Sequence, residues 1–140
     1  MPDLPPEEAE ELQVAADAHG LDLIYLVAPT STDERLAIVA KVARGFIYCV
    51  ALSGVTGARS QVSADLPAYL SRVRRATELP LAVGFGISRP EHVHSVAQHA
   101  DGAIIGAALV DRLAAFSPEE CVDGAAAYIR DLATGTRRTP

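Results

Sequence analysis

The sequence predicts an α/β fold: a partial (β/α)8 TIM barrel, a half-barrel of about four βα units with flanking helices. Three observations carry that expectation. Short apolar runs begin near residues 23, 46, 81 and 102. Segments of helical periodicity with good start signals lie between them, and buried parallel strands joined by helices need right-handed crossovers. The last two runs each lead through glycine into a helix start, in Leu81-Ala82-Val83-Gly84-Phe85-Gly86-Ile87-Ser88-Arg89-Pro90-Glu91 and in Gly102-Ala103-Ile104-Ile105-Gly106-Ala107-Ala108-Leu109-Val110. A small doubly wound sheet also fits this element order. The paired glycine junctions favour the barrel, whose phosphate site commonly uses the loops after its last two strands.

Taken in order, Met1-Pro2-Asp3-Leu4-Pro5-Pro6 looks like a strand exit and loop whose strand is missing. Pro6 followed by Glu7, Glu8 and Glu10 makes a good first helical turn, and His19-Gly20 a stop, so a helix is expected to about Ala18. Residues 23–27 form a continuous apolar run, as in a strand covered on both faces. Ser31 or Thr32 can cap the next helix; with Ser31 as cap, Glu34 supplies the capping-box acid. That helix should turn Leu36, Val39, Ala40 and Val42 to the core and end at Gly45.

Residues 46–50 predict a second buried strand. The stretch 51–63 has two glycines and little apolar content, and loops this long in a compact domain are usually functional or mobile. Asp65 opens a helix with Leu66, Tyr69, Leu70 and Val73 at helical spacing. After the strand at 81–83, Ser88 stands three residues before Glu91, which is capping-box spacing, and Pro90 suits the first turn. That helix, over 90–98, carries Val93 and Val96 inward. Asp101-Gly102 reads as a turn before the last strand. A final helix starts at Ser117-Pro118-Glu119-Glu120 and runs to about Ala133. The domain thus spans 1–133, with a tail over 134–140 expected to fray.

At 140 residues, 49% apolar and 21% charged, the chain is one domain able to bury a core. A net charge of −6 argues against nucleic acid as a partner, because phosphate backbones demand clustered Lys and Arg. Arg72-Val73-Arg74-Arg75 is the one basic cluster in the body of the chain and reads as a solvated helix face. Cys49 and Cys121 have no metal or redox spacing, and Cys49 lies in an apolar run, which points to a reducing compartment. No basic-then-apolar leader and no apolar run near the roughly 20 residues of a bilayer span occur, so a cytoplasmic protein without membrane contact is expected. His19, His92, His94 and His99 read as solvent-facing. His92 and His94 are two apart on a helix and do not make a ligand pair, so no metal is expected.

The glycine junctions carry the chemistry. Gly84 and Gly86 remove Cβ atoms where the chain leaves a strand, so a ligand can approach the backbone N–H groups. A helix start adds free N–H groups and the positive end of a dipole, and both favour phosphate. Two such junctions on consecutive strands suggest one phosphate held between them. The alternative is that Gly84, Gly86 and Gly106 only permit tight turns.

With these stretches in view, the chain resembles the C-terminal half of the tryptophan synthase α subunit. The matching segments are Asp3-Leu4-Pro5-Pro6-Glu7-Glu8, Leu26-Val27-Ala28-Pro29-Thr30, Ser53-Gly54-Val55-Thr56-Gly57, Gly84-Phe85-Gly86-Ile87-Ser88 and Gly106-Ala107-Ala108-Leu109-Val110, across about residues 1–133. The resemblance implies strands five to eight of a barrel whose family cleaves indole-3-glycerol phosphate to indole and glyceraldehyde 3-phosphate. It implies substrate contacts at Tyr48, Thr56 and Phe85, and phosphate contacts at Gly57, Gly86, Gly106 and Ala107. The family usually has serine where Ala107 stands, a hydroxyl worth roughly 1.5–3 kcal/mol against a charged group. The family's catalytic glutamate and aspartate match no acid here and would lie upstream of Met1, so no catalytic residue is assigned. Turnover by this chain alone is therefore not expected.

The resemblance also implies a β-subunit partner, with pyridoxal phosphate on that partner. No cofactor is expected on this chain, whose only lysine, Lys41, falls on a predicted helix. Four βα units cannot close a barrel of this type. The open edges near 23 and 102 predict that the isolated chain self-associates or is a piece of a longer one. A non-catalytic phosphate-binding half-barrel acting through association is the alternative function. An isomerase-like barrel is a distant third, because Ser53-Gly54-Val55-Thr56-Gly57 fits it poorly.

Overall fold

The computed structural model describes residues 4–51, 65–84 and 86–137. Its strands are β1 (Leu26–Val27), β2 (Ile47–Val50), β3 (Leu81–Gly84) and β4 (Gly102–Ala103), all parallel and paired in the order β1-β2-β3-β4. That order separates the two architectures. A doubly wound sheet reverses its strand order at a switch point. A sequential parallel order with right-handed crossovers keeps every intervening helix on one side, as in the wall of a barrel.

The register divides the side chains between the two faces. One row runs Val27, Cys49, Val83 and Ala103, and the first three are buried. They join a core with Ile47 and Leu81 and with the helix residues Leu36, Val39, Leu70, Val73, Val93 and Val96. The other row runs Leu26, Tyr48, Ala82 and Gly102, and all four are only half-buried. Residues 23–27 accordingly alternate, with Leu23, Tyr25 and Val27 buried and Ile24 and Leu26 half-buried. The expectation of cover on both faces is corrected here. Helices cover the outer face, while no described residue fully covers the inner one. β1 and β4 each have a single ladder partner among the described residues.

The helices are α1 (Glu10–Ala18), α2 (Asp33–Val42), α3 (Leu66–Ala76), α4 (Pro90–Ala97), α5 (Ala107–Ala114) and α6 (Cys121–Ala133). A 3-10 turn at Pro6–Glu8 precedes α1, and Gly20 follows it at φ +66°, a left-handed stop. Thr32, not Ser31, caps α2: its hydroxyl accepts from the Arg35 N–H at 3.2 Å. Ser31 turns back instead and accepts from the Ala28 N–H. Val42 is exposed, because the helix face rotates away from the core after Val39. Ser88 is not the cap of α4 either; Arg89 holds that position in extended backbone. The final helix starts at Cys121, later than the expected Ser117, and the Ser117 hydroxyl donates to Glu120 in the turn before it.

Two further expectations change. Arg72 and Arg74 are not merely solvated. Arg72 donates to the carbonyls of Pro29 and Ser31 and fastens the β1–α2 loop. Arg74 reaches Asp101, whose carboxylate also accepts from the Leu81 N–H at 2.8 Å, so Asp101 ties β3 to β4 at their N-terminal ends. The chain beyond Ala133 does not fray at once. Thr134–Thr136 form a 3-10 turn with Gly135 buried, and a Cβ there would fall 2.1 Å from the Pro90 carbonyl of α4.

Candidate functional site

At the C-terminal ends of β3 and β4 the chain leaves the sheet in two adjacent junctions. Gly86 takes φ +77°, a left-handed conformation that disfavours a side chain. Gly106 precedes the first residue of α5, and a Cβ there would meet nothing within 4 Å. Between the junctions lies a cavity of about 440 Å³ lined by Tyr48, Gly86, Ser88, Gly106, Ala107 and Asp111, with Ile87, Ile104 and Ala108.

Four of the residues singled out in the sequence thus meet in one place: Tyr48, Gly86, Gly106 and Ala107. Thr56, Gly57 and Phe85, and nearly all of the 51–63 loop, lie outside the described residues. Tyr48 reaches the cavity from β2 on the inner row, and its ring crosses over Gly84. Burial raises the Tyr48 phenol above its usual range, so it stays protonated at neutral pH and can donate a hydrogen bond. Among the described residues the lining has no lysine or arginine, so from these residues an anion would draw on backbone N–H groups and the first turn of α5. Asp111 is the one charged side chain in the lining among the described residues.

Sequence reasoning missed Ser88, except as a cap, and missed Ala108 and Asp111. A signal for Asp111 existed: it stands four residues after Ala107 on one helix and so shares its face. His92 is buried, against the expectation of a solvent-facing residue. Its ring tucks back under the β3–α4 loop, where Nδ1 accepts from the Ser88 N–H at 3.3 Å. Among the described residues no group of three or more His, Cys, Asp or Glu could hold a metal ion, and no helix is long and apolar enough to cross a membrane.

The sequential parallel wall, helices on one face and a cavity at the C-terminal strand ends define a protein of the (β/α)8-barrel class, here with four of the strands. The family model for the tryptophan synthase alpha chain matches residues 1–137. The tryptophan synthase alpha chain of Chloroflexus aggregans is 54% identical over 138 residues, which cover 99% of this chain and 52% of that one. That of Roseiflexus castenholzii is 55% identical over 132 residues, covering 94% and 51%. A structure of Mycobacterium tuberculosis tryptophan synthase superposes with a TM-score of 0.80 at 40% identity, over 99% of this chain and 51% of that one. The alpha subunit from Legionella pneumophila gives 0.78 at 33%, over 96% and 49%. The chain belongs to the tryptophan synthase alpha-chain family, and it spans about half the length of the relatives it matches.

Proposed function

We propose that this chain supplies the substrate-holding half of an alpha-chain barrel that cleaves indole-3-glycerol phosphate to indole and glyceraldehyde 3-phosphate. The phosphate sits between the Gly86 and Gly106 junctions, with Gly57 and the Ala107 N–H adding contacts. Tyr48, Thr56 and Phe85 border the indole ring. The observation that supports this most directly is the convergence of Tyr48, Gly86, Gly106 and Ala107 on one cavity. Carbon–carbon cleavage needs an acid to protonate the ring and a base to remove the N–H and hydroxyl protons. In this reading those carboxylates come from outside these 140 residues. The assembled enzyme works in the cytoplasm beside a β subunit that carries pyridoxal phosphate.

The test mixes the chain with the N-terminal half of a family member and follows indole release. Release from the mixture, and from neither half alone, is the expected result. Near-family turnover by this chain alone, or a folded mixture that releases nothing, would overturn it. The half-buried inner row and the single-partnered strands β1 and β4 favour a second reading, a non-catalytic half-barrel that acts by association. Co-sedimentation of the two halves without turnover would select that one.

A further inference from the structure

Ser88 lines the cavity, and both of its backbone groups are held from outside its own loop. Its N–H donates to His92 at the start of α4. Its carbonyl accepts from the phenol of Tyr128, 40 residues further on in α6, at 2.9 Å. The face of the same ring is covered by the guanidinium of Arg112, with Cζ 5.1 Å from the centroid. Arg112 stands in the last turn of α5, the helix whose first turn is a wall of the cavity. One half-buried side chain therefore links the β3–α4 junction, through its hydroxyl, to the last turn of α5, through its ring. The helix that carries it is anchored, because Leu132 is buried and Gly135 packs against the first turn of α4.

We infer that Tyr128 is a positioning residue for a phosphate monoester in this cavity, because its hydroxyl fixes the Ser88 peptide relative to α5. The inference rests on the proposed function and deepens it. N–H donors to an oxyanion work within a few tenths of an ångström, near 2.7–3.2 Å. Two loops that share one anion must hold their spacing before the ligand arrives, or part of the binding energy goes into ordering them. In this chain the spacing is set by a residue remote from the cavity in sequence. Without the hydroxyl the Ser88 carbonyl is free to turn toward water, and the loop loses its tie to α5 through Tyr128.

The test uses Tyr128→Phe in the 140-residue chain, with glycerol 3-phosphate as probe. The phenylalanine keeps the ring and its stacking on Arg112, so only the hydroxyl is removed. Affinity should fall about three- to tenfold, the effect of one neutral hydrogen bond. Amide exchange over residues 86–92 should rise in the same variant. Tyr25→Phe is the control for general loosening, since it removes a hydroxyl bonded to Gln13 on α1, away from the cavity. It should lower the melting temperature and leave affinity unchanged. Unchanged affinity in Tyr128→Phe, with wild-type binding intact, would overturn the positioning role alone. An equal loss in Tyr25→Phe would overturn it as well. A wild-type chain that does not bind glycerol 3-phosphate would overturn the phosphate reading of the cavity, and this inference with it.

Discussion

The phenol oxygen of Tyr48 lies 2.0 Å from the point where a Cβ on Gly84 would stand, and the ring carbon Cζ lies at 2.4 Å. The two residues are diagonal neighbours on β2 and β3, since Tyr48 pairs with Ala82 and Val50 with Gly84. Gly84 is bare so that an aromatic ring can lie across it and face the cavity. A methyl group at this position must push the ring aside. Gly84→Ala should cost about 1–3 kcal/mol of stability, as overpacking does, and should weaken indole binding by a similar factor in free energy. The chain has no tryptophan, so the change in indole emission on binding is read without a protein tryptophan signal. Wild-type indole affinity in the variant would show that the ring does not border the ligand.

Ala107 opens α5 at the edge of the cavity, and its methyl group has no hydroxyl to offer an anion. Ala107→Ser should tighten glycerol 3-phosphate binding by up to about 1.5 kcal/mol, the lower end of the range for a hydrogen bond to a charged group. The melting temperature without ligand should barely move, because the site is exposed. Isothermal titration checks both. An unchanged affinity would place the anion out of reach of this position.

Burial pushes the Cys49 thiol up to about 12. Burial also raises the phenol of Tyr69, and the neighbouring Cys49 adds to that rise. The unfolded thiol titrates near 9. Between pH 9 and 12 the unfolded chain therefore gives up a proton that the folded chain keeps. Stability is intact below pH 9 and falls as pH rises through that window, by at most about 1.4 kcal/mol per unit from this group. Melting curves from pH 7 to 11 should show the decline, and Cys49→Ala should remove the part that begins at 9. Alkylation at neutral pH should modify the half-buried Cys121 first and reach Cys49 only after denaturation.

What was legible in the sequence was whatever rests on local chemistry. The apolar runs, Gly20 as a stop, and Leu66, Tyr69, Leu70 and Val73 as one buried stripe follow from periodicity and caps. So does the meeting of Gly86 with Gly106, because consecutive parallel strands bring their exits together. The choice between Ser31 and Thr32 was not legible, since both have the right chemistry and only the loop geometry selects one. Nor were the partners of Arg72, Arg74 and Tyr128, which lie between 5 and 43 residues away and exist only once helices pack on the sheet. His92 reads as a surface residue because it is polar and follows Glu91; its burial depends on the loop folding back over the first turn of α4.

The knot of Arg74, Asp101 and Leu81 sits at one end of the strands, and the cavity at the other. This separation gives a protein engineer two dials. Heat tolerance can be screened by varying the lower rim without touching the mouth, whereas changes of ligand preference at the mouth must spare the Gly84–Tyr48 contact.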